Sequence, residues 1–254
     1  MLNQPNHTQA LLRMGDSTLI LSHRLSEWCG HGPILEQDIA LTNIALDLIG
    51  QSRMWLSLAG QQMNPEQSED DLAFKRDVGG FHNALLTELP NEDFGYTIVR
   101  QFLFDVWHFH VLDWCCKHTS NSDIRAIAQK GIKEVAYHKR FSSEWMIRLG
   151  DGTEESHQRM QNALNARWNY RGELTTPDLI DGDSSKAGYF PDLATLKPKI
   201  EAEYQQIISR STLSIPESTW AHQGGKSAKQ HTEHLGFILT DMQYVQRAYP
   251  GLNW

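Results

Sequence analysis

The chain is predicted to be all-α, a four-helix bundle carrying additional helices, and three observations lead there. Apolar residues recur mainly at spacings of three and four, the period of a helix face. Alternating runs bounded by turn residues, the signature of strands, are nearly absent. Four apolar-patterned segments of roughly 25 residues are joined by short or modest connections, which is how helical bundles are assembled.

The elements follow in order. A first helix is predicted from about Asn6 to Cys29, loosened near Gly15, and it stops at GHGP, where two glycines and Pro33 break it. The second, ILEQDIALTNIALDLIGQSRMWLSLAG, covers about residues 34–60. Ile34, Leu41, Ile44, Leu48 and Trp55 are available to one buried stripe, whereas Leu35, Ile39, Leu46 and Ile49 lie off it. Apolar residues on more than one face predict a central helix. After the polar loop NPEQSEDD, a short helix is expected over Asn83–Leu89, ended by Pro90. The third long helix, FGYTIVRQFLFDVWHFHVLDWCCKH, is rich in aromatics at core spacing, with Trp107 and Trp114 seven residues apart on one face. The fourth runs from about Ser122 to the glycines of LGDG. Two further helices, at about 154–174 and 192–211, flank TPDLIDGDSSKAGYFP, whose glycines, prolines and acids predict an irregular surface excursion at about 175–191. A last helix, about 227–247, ends at YPG, because Pro250 cannot continue it. No tandem repeat interrupts this order, and residues 1–254 read as a single domain.

Composition narrows the function. The formal charge of −8 argues against nucleic acid, which needs clustered Lys and Arg. Three cysteines, Cys29, Cys115 and the adjacent Cys116, build no disulfide framework, which suits a reducing compartment. The first residues lack a signal peptide's basic, apolar and cleavage regions, and no window reaches the roughly 18 to 20 apolar residues of a membrane span. A cytoplasmic location, without membrane contact, is the expectation. No nucleophile elbow or cysteine-protease context occurs. Gly224 and Gly225 before Lys226 lack the full phosphate-loop pattern. Lys226 and Lys229, near an expected helix start, are nonetheless candidates for contact with a CoA phosphate or a partner; a helix-entry loop with solvated lysines is the plainer reading.

Acid–histidine pairs are the main candidates for chemistry. Glu134 and His138 lie four apart and Asp105 and His108 three apart, so each pair shares a helix face. Glu27, Glu36, Asp38 and Asp47 lie on the first two helices. Di-iron carboxylate bundles combine two single acids with two Glu-x-x-His pairs. The literal pattern occurs here at Glu154–His157, just after the LGDG break rather than in mid-bundle, and no second copy accompanies it. With 31 acids and 12 histidines, isolated pairs at helical spacing also arise by chance.

Three stretches carry a more specific signal: GDSTLILSHRLSEWCGHGPILEQDIALTNIALDLIGQSR, IKEVAYHKRFSSEWMIRLGDGT and GGKSAKQHTEHLGFILTDMQYVQRAYPGLNW. From about Gly15 to Trp254 the chain resembles the C subunits of bacterial phenylacetyl-CoA 1,2-epoxidases. The resemblance implies a ferritin-like fold related to the catalytic A subunit of that complex. It also implies a structural role: this chain would bind and stabilise the A subunit and bear no catalytic residue and no cofactor. The di-iron centre would belong to the A subunit, and FAD, iron-sulfur and NADPH to a separate reductase. The A subunit, the other epoxidase subunits and self-association are the implied partners.

The same comparison assigns the departures. Asn43 and Leu46 stand where the catalytic relative has a ligand glutamate and histidine. Val135 stands where it has a second glutamate, with Glu134 turned about 100° away around the helix. Glu27, Asp105 and His138 would remain as a vestigial polar cluster, with Lys133 a candidate counter-charge, since buried charges must be paired. Two other readings stay open: a metal site of the chain's own through Asp105, His108, Glu134 and His138, and an independent helical binding module. Trp254 is a candidate interface anchor.

Overall fold

The computed structural model describes residues 6–63, 65–218 and 220–252, so Trp254 lies outside the described residues. They form eleven α-helices and no strand. In chain order these are α1 (Asn6–Ser26), α2 (Leu35–Gln61), α3 (Glu69–Phe74), α4 (Leu85–Glu88), α5 (Phe94–His118), α6 (Ser122–Gly150), α7 (Glu154–Arg167), α8 (Gly172–Thr175), α9 (Leu179–Lys186), α10 (Leu193–Arg210) and α11 (Glu233–Ala248). The long helices α1, α2, α5 and α6 make the bundle: α1 packs along α2, α5 along α6, and α2 against α6.

The predicted order holds, but the centre moves. Every residue of α1 from Ala10 to Ser22 is buried, whereas Leu35, Ile39 and Leu46 of α2 are exposed. The expectation that α2 is the central helix is therefore corrected. Of the off-stripe apolar residues of α2, Leu35, Ile39 and Leu46 face outward and Ile49 is half-buried, while Ile34, expected on the buried stripe, is exposed just before the helix; α1 is enclosed by α2, α4 and α9. Gly15 does not loosen α1. A Cβ there would fall 2.6 Å from Leu56 Cδ2, so the glycine sets the close approach of α1 to α2, and Ser52 Oγ donates to the Gly15 carbonyl at 2.9 Å.

A helix buried on all sides cannot leave its polar groups unsatisfied. Asp16 accepts from both terminal nitrogens of Arg76 and, at 2.8 Å, from the His82 backbone amide. Arg24 donates through Nε and Nη2 to the Glu88 carbonyl. Arg13 donates to the Lys226 carbonyl and pairs with Asp178 at 2.6 Å and Asp181 at 2.8 Å.

Those last contacts reorder the second half of the chain. The stretch at 175–191 is not irregular: Asp178 caps α9 in a capping box with Asp181, and α9 packs on α1. The final helix begins at Glu233 rather than near residue 227. Gly224 (φ 132°) and Ala228 (φ 55°) lie in the left-handed half of the backbone map and hold the preceding stretch in turns. Glu173 ties that stretch down, accepting from the amides of Leu85 and Gly224, each at 2.8 Å, and of Lys226 at 3.2 Å. Glu88 accepts from the amide and hydroxyl of Thr232 at 2.8 and 2.6 Å, at the foot of α11.

Replacing Asp16 by Ala should leave the Arg76 guanidinium and the His82 amide without their acceptor. Breaking a buried pair from one side costs about 3 to 5 kcal/mol, so the Asp16→Ala variant is expected to unfold at clearly lower urea concentration than the parent. An unchanged midpoint would mean that α1 is not held by its charges.

Candidate functional site

The bundle interior contains a polar layer shared by α2, α5 and α6. Gly131 admits it sterically: a Cβ there would lie 3.1 Å from Gln51 Cδ and 3.3 Å from Leu112 Cδ1, so α6 sits close to both α2 and α5. On α5, Asp105 is fully buried. Its Oδ1 accepts from Gln101 Nε2 at 2.6 Å and its Oδ2 from Ser142 Oγ of α6 at 2.8 Å. On α6, buried His138 places Nε2 3.0 Å from Asp47 Oδ2 of α2. One turn earlier Glu134 Oε2 accepts from Gln51 Nε2 at 2.9 Å. Because 47 meets 138 and 51 meets 134, α2 and α6 run antiparallel.

Burial dominates the electrostatics of the layer. It pushes the pKa of Asp105 up to about 6, against the opposing pull of His138, Ser142 and Gln101. His108, fully buried one turn along α5, is pushed down to about 3 by burial and by the nearby His138. Neither of its ring nitrogens has a hydrogen-bond partner among the described residues, and the ring packs between Phe104 and Trp107, at centroid distances of 5.2 and 6.0 Å. This is a neutral imidazole treated as an aromatic.

The residues singled out from sequence separate into four places. Asp105 and His138 fall in one layer, linked by Ser142, whose hydroxyl also contacts the His138 carbonyl at 3.0 Å. Glu27 is not part of it. Its exposed carboxylate is held by Arg24 at 2.7 Å and Asn91 at 2.8 Å, under the loop that precedes α5. Asn43 and Leu46 point outward on α2, while Asp47, the next residue along, makes the contact to His138; the inward register of α2 is thus one residue from the one expected. Val135 is fully buried, and Lys133 is exposed and offers no counter-charge to the layer.

Lys226 is also corrected. It is buried, with Nζ 2.6 Å from Asp181 Oδ2 and 2.5 Å from the Thr176 carbonyl, so its charge is committed inside the protein and is not presented to a CoA phosphate. Lys229 is exposed four residues before α11. His157 of the literal Glu-x-x-His motif places Nδ1 2.7 Å from the Gly150 carbonyl, at the end of α6, and so finishes a helix.

Gln101, Ser142, Asp47 and Gln51 are the members of the layer that the pattern of acids and histidines did not single out. A signal was present all the same: Asp47 and Gln51 are spaced by four on α2, matching Glu134 and His138 on α6, and such pairs register across antiparallel helices.

The donor set does not fit a di-iron carboxylate centre, which needs four carboxylates and two histidines converging on two cations. Asp105, the fully buried carboxylate of this layer, has both oxygens engaged by an amide and a hydroxyl, and the inner position beside His138 is the alkyl group of Val135. No group of three or more His, Cys, Asp or Glu side chains among the described residues is placed to share an ion. No helix among them is long and apolar enough to cross a membrane.

Residues 2–254 match the phenylacetic acid catabolic protein family. Over 247 residues the chain is 46% identical to the C subunit of the 1,2-phenylacetyl-CoA epoxidase of Escherichia coli K12, covering 97% of this chain and 98% of that relative.

The raised pKa of Asp105 means that folding favours its protonated form. Its stabilising contribution is complete below about pH 4 and is lost as the pH rises through about 6. A rise from 3.8 to about 6 corresponds to about 3 kcal/mol across that window. Asp105→Asn is expected to flatten the stability profile between about pH 4 and pH 7, read by urea unfolding at several pH values; an unchanged slope would assign the titration to another group.

Proposed function

The chain belongs to the phenylacetic acid catabolic protein family, and from that premise we propose that it is the non-catalytic structural C subunit of a multicomponent phenylacetyl-CoA 1,2-epoxidase. In this reading the complex epoxidises the aromatic ring during aerobic phenylacetate degradation, and this chain binds and stabilises the di-iron A subunit. The iron belongs to that partner, and FAD, iron-sulfur and NADPH to a separate reductase. In the same reading the subunit works in the cytoplasm.

One observation carries the reading. Where a di-iron bundle needs converging carboxylates, this one closes its interior with neutral donors, Gln101 and Ser142 on Asp105 and Gln51 on Glu134. A carboxylate that titrates near pH 6 and is already saturated by hydrogen bonds is a packing element. What remains for the chain to offer is shape and surface.

A competing reading, metal held by Asp105, His108, Glu134 and His138, draws on the two unpartnered ring nitrogens of buried His108. Metal analysis of the purified chain separates the two. The structural reading expects iron far below stoichiometric; near-stoichiometric iron that disappears in His138→Ala would overturn it. Co-expression with the A subunit should yield a stable heteromeric complex with the iron on the A chain, and an A subunit that is equally soluble and equally loaded without this chain would remove its proposed role.

A further inference from the structure

His231 stands at the entrance to α11, and two contacts of its ring fix how many protons it carries. Nδ1 lies 2.5 Å from Glu88 Oε1, and Nε2 lies 3.0 Å from the Phe81 carbonyl. A carbonyl oxygen only accepts, so Nε2 carries a hydrogen. At 2.5 Å a second hydrogen lies between Nδ1 and Oε1, because two lone pairs at that separation would repel. Glu88 decides which partner holds it. Oε1 also accepts from Asn83 Nδ2 at 3.0 Å, and Oε2 accepts from the amide and hydroxyl of Thr232 at 2.8 and 2.6 Å. These donors, with the ring, fill the acceptor positions of an ionised carboxylate, so Glu88 is the anion and His231 the imidazolium. Both side chains are enclosed, Glu88 at 0% and His231 at 2% exposure, and among the described residues no other cation lies at ion-pair distance from Glu88.

The surroundings reinforce that charge. Burial by itself would depress the His231 pKa, but the hydrogen bond and charge of Glu88, the Phe81 carbonyl and the charge of Glu173 on α8 outweigh it and raise the pKa above its ordinary value. The neighbouring cations are committed elsewhere. From α1, Arg24 binds the Glu88 backbone carbonyl and the Glu27 carboxylate. Arg76 binds Asp16 and lies 4.3 Å over the Phe81 ring, and Lys226 Nζ pairs with Asp181. His82, next to Phe81, is pushed down by burial and titrates below His231. On the segment of His231 itself, Glu233 is exposed and His234 half-buried. Helix α11 has few other holds. It buries Leu235, Ile238, Leu239 and Gln243 against α3, α4 and the turn at Val78–Gly80. Its far half is tied by Gln243, which donates to the Ala73 and Arg76 carbonyls at 3.0 and 2.9 Å, and by an exposed Arg247–Asp77 pair that contributes little. Its near half rests on Glu88, through His231 and Thr232.

We infer that the Glu88–His231 pair is a proton-operated latch, in which doubly protonated His231 holds the start of α11 against α4 and loss of one proton frees it. When that proton leaves, either a ring lone pair faces the carboxylate or Nε2 gives up the Phe81 carbonyl, and in both cases the buried Glu88 charge loses its counter-ion. The direction follows from the raised pKa. The latch's contribution is complete below the ordinary histidine value of 6.5, declines as the pH rises, and is gone above the folded pKa. Between those limits opening of α11 releases one proton, so its opening equilibrium rises by about tenfold per pH unit. Because histidine titrates close to neutrality, the attachment of α11 responds to pH in the range where the protein works. The inference stands on the contacts of the ring and does not depend on the epoxidase role.

Two measurements on the full chain test it. In a nitrogen-detected NMR titration, the His231 ring should lose its second proton with a midpoint above 6.5; a midpoint at or below that value overturns the latch. Amide hydrogen exchange, read by mass spectrometry on peptides from 231–248 and corrected for the intrinsic rate at each pH, should show protection of α11 falling by about tenfold per unit as the pH rises above about 6.5, then levelling off. His231→Gln should remove this dependence and leave α11 near the parent's alkaline level of protection at every pH. His234→Gln, three residues on, serves as the control and should keep the parent's profile. Protection of the parent that stays constant between about pH 6.5 and about pH 9, or a fall that survives in His231→Gln, overturns the assignment. Should His231→Gln fail to fold, the midpoint and exchange profile of the parent decide the matter by themselves.

Discussion

Burial of a polar helix is the constraint on which the rest of the structure depends. Helix α1 carries Arg13, Asp16, Ser17, Thr18, Ser22 and Arg24 within a stretch almost wholly removed from solvent. Each charge requires a partner brought from elsewhere, because an unpaired buried charge would cost several kcal/mol. Apart from Glu27, which pairs with Arg24, the partners come from residues 76 to 88 and from 178 to 226, so satisfying α1 draws distant parts of the chain onto it. Helix α9 and the turn at Lys226 are tied to α1 by these bonds.

The polar layer between α2, α5 and α6 obeys the same rule by other means. Here no arginine or lysine answers the buried acid; an amide and a hydroxyl do, and the carboxyl becomes easier to protonate. His108 follows suit, remaining neutral against Phe104 and Trp107. The layer fixes how α2, α5 and α6 register, since Gln101 and Ser142 reach Asp105 and Asp47 reaches His138.

Much of this was legible in the residues. The bounds of α2, α5, α6 and α10 follow from apolar spacing and from breakers such as Pro33, Gly150 and Gly152, all local signals. The pairing of Asp105 with Gln101, at a spacing of four, is local as well, but the pattern of acids and histidines passed over it. Which faces turn inward was not legible. On α2 the apolar residues occupy two faces, so periodicity alone allowed either Leu46 or Asp47 to face α6, and only the packing of Gly131 against Gln51 decided for Asp47. Glu27 looked equivalent to Asp105 in composition, yet it lies past the last turn of α1, where Arg24 and Asn91 reach it.

By itself the sequence determined an all-α chain, the order and extent of its long helices, and a likeness across nearly all its length to one family. These rest on patterns within a few turns and on residues that can be compared one by one. The tertiary structure alone decided that α1 and not α2 is the centre, that Asn43 and Leu46 face outward, and that Lys226 is a buried ion-pair partner. The physical reason is common to all three: burial is set by what packs against a helix, and for α1 the packing comes from segments far along the chain, out to Lys226, which no local period records.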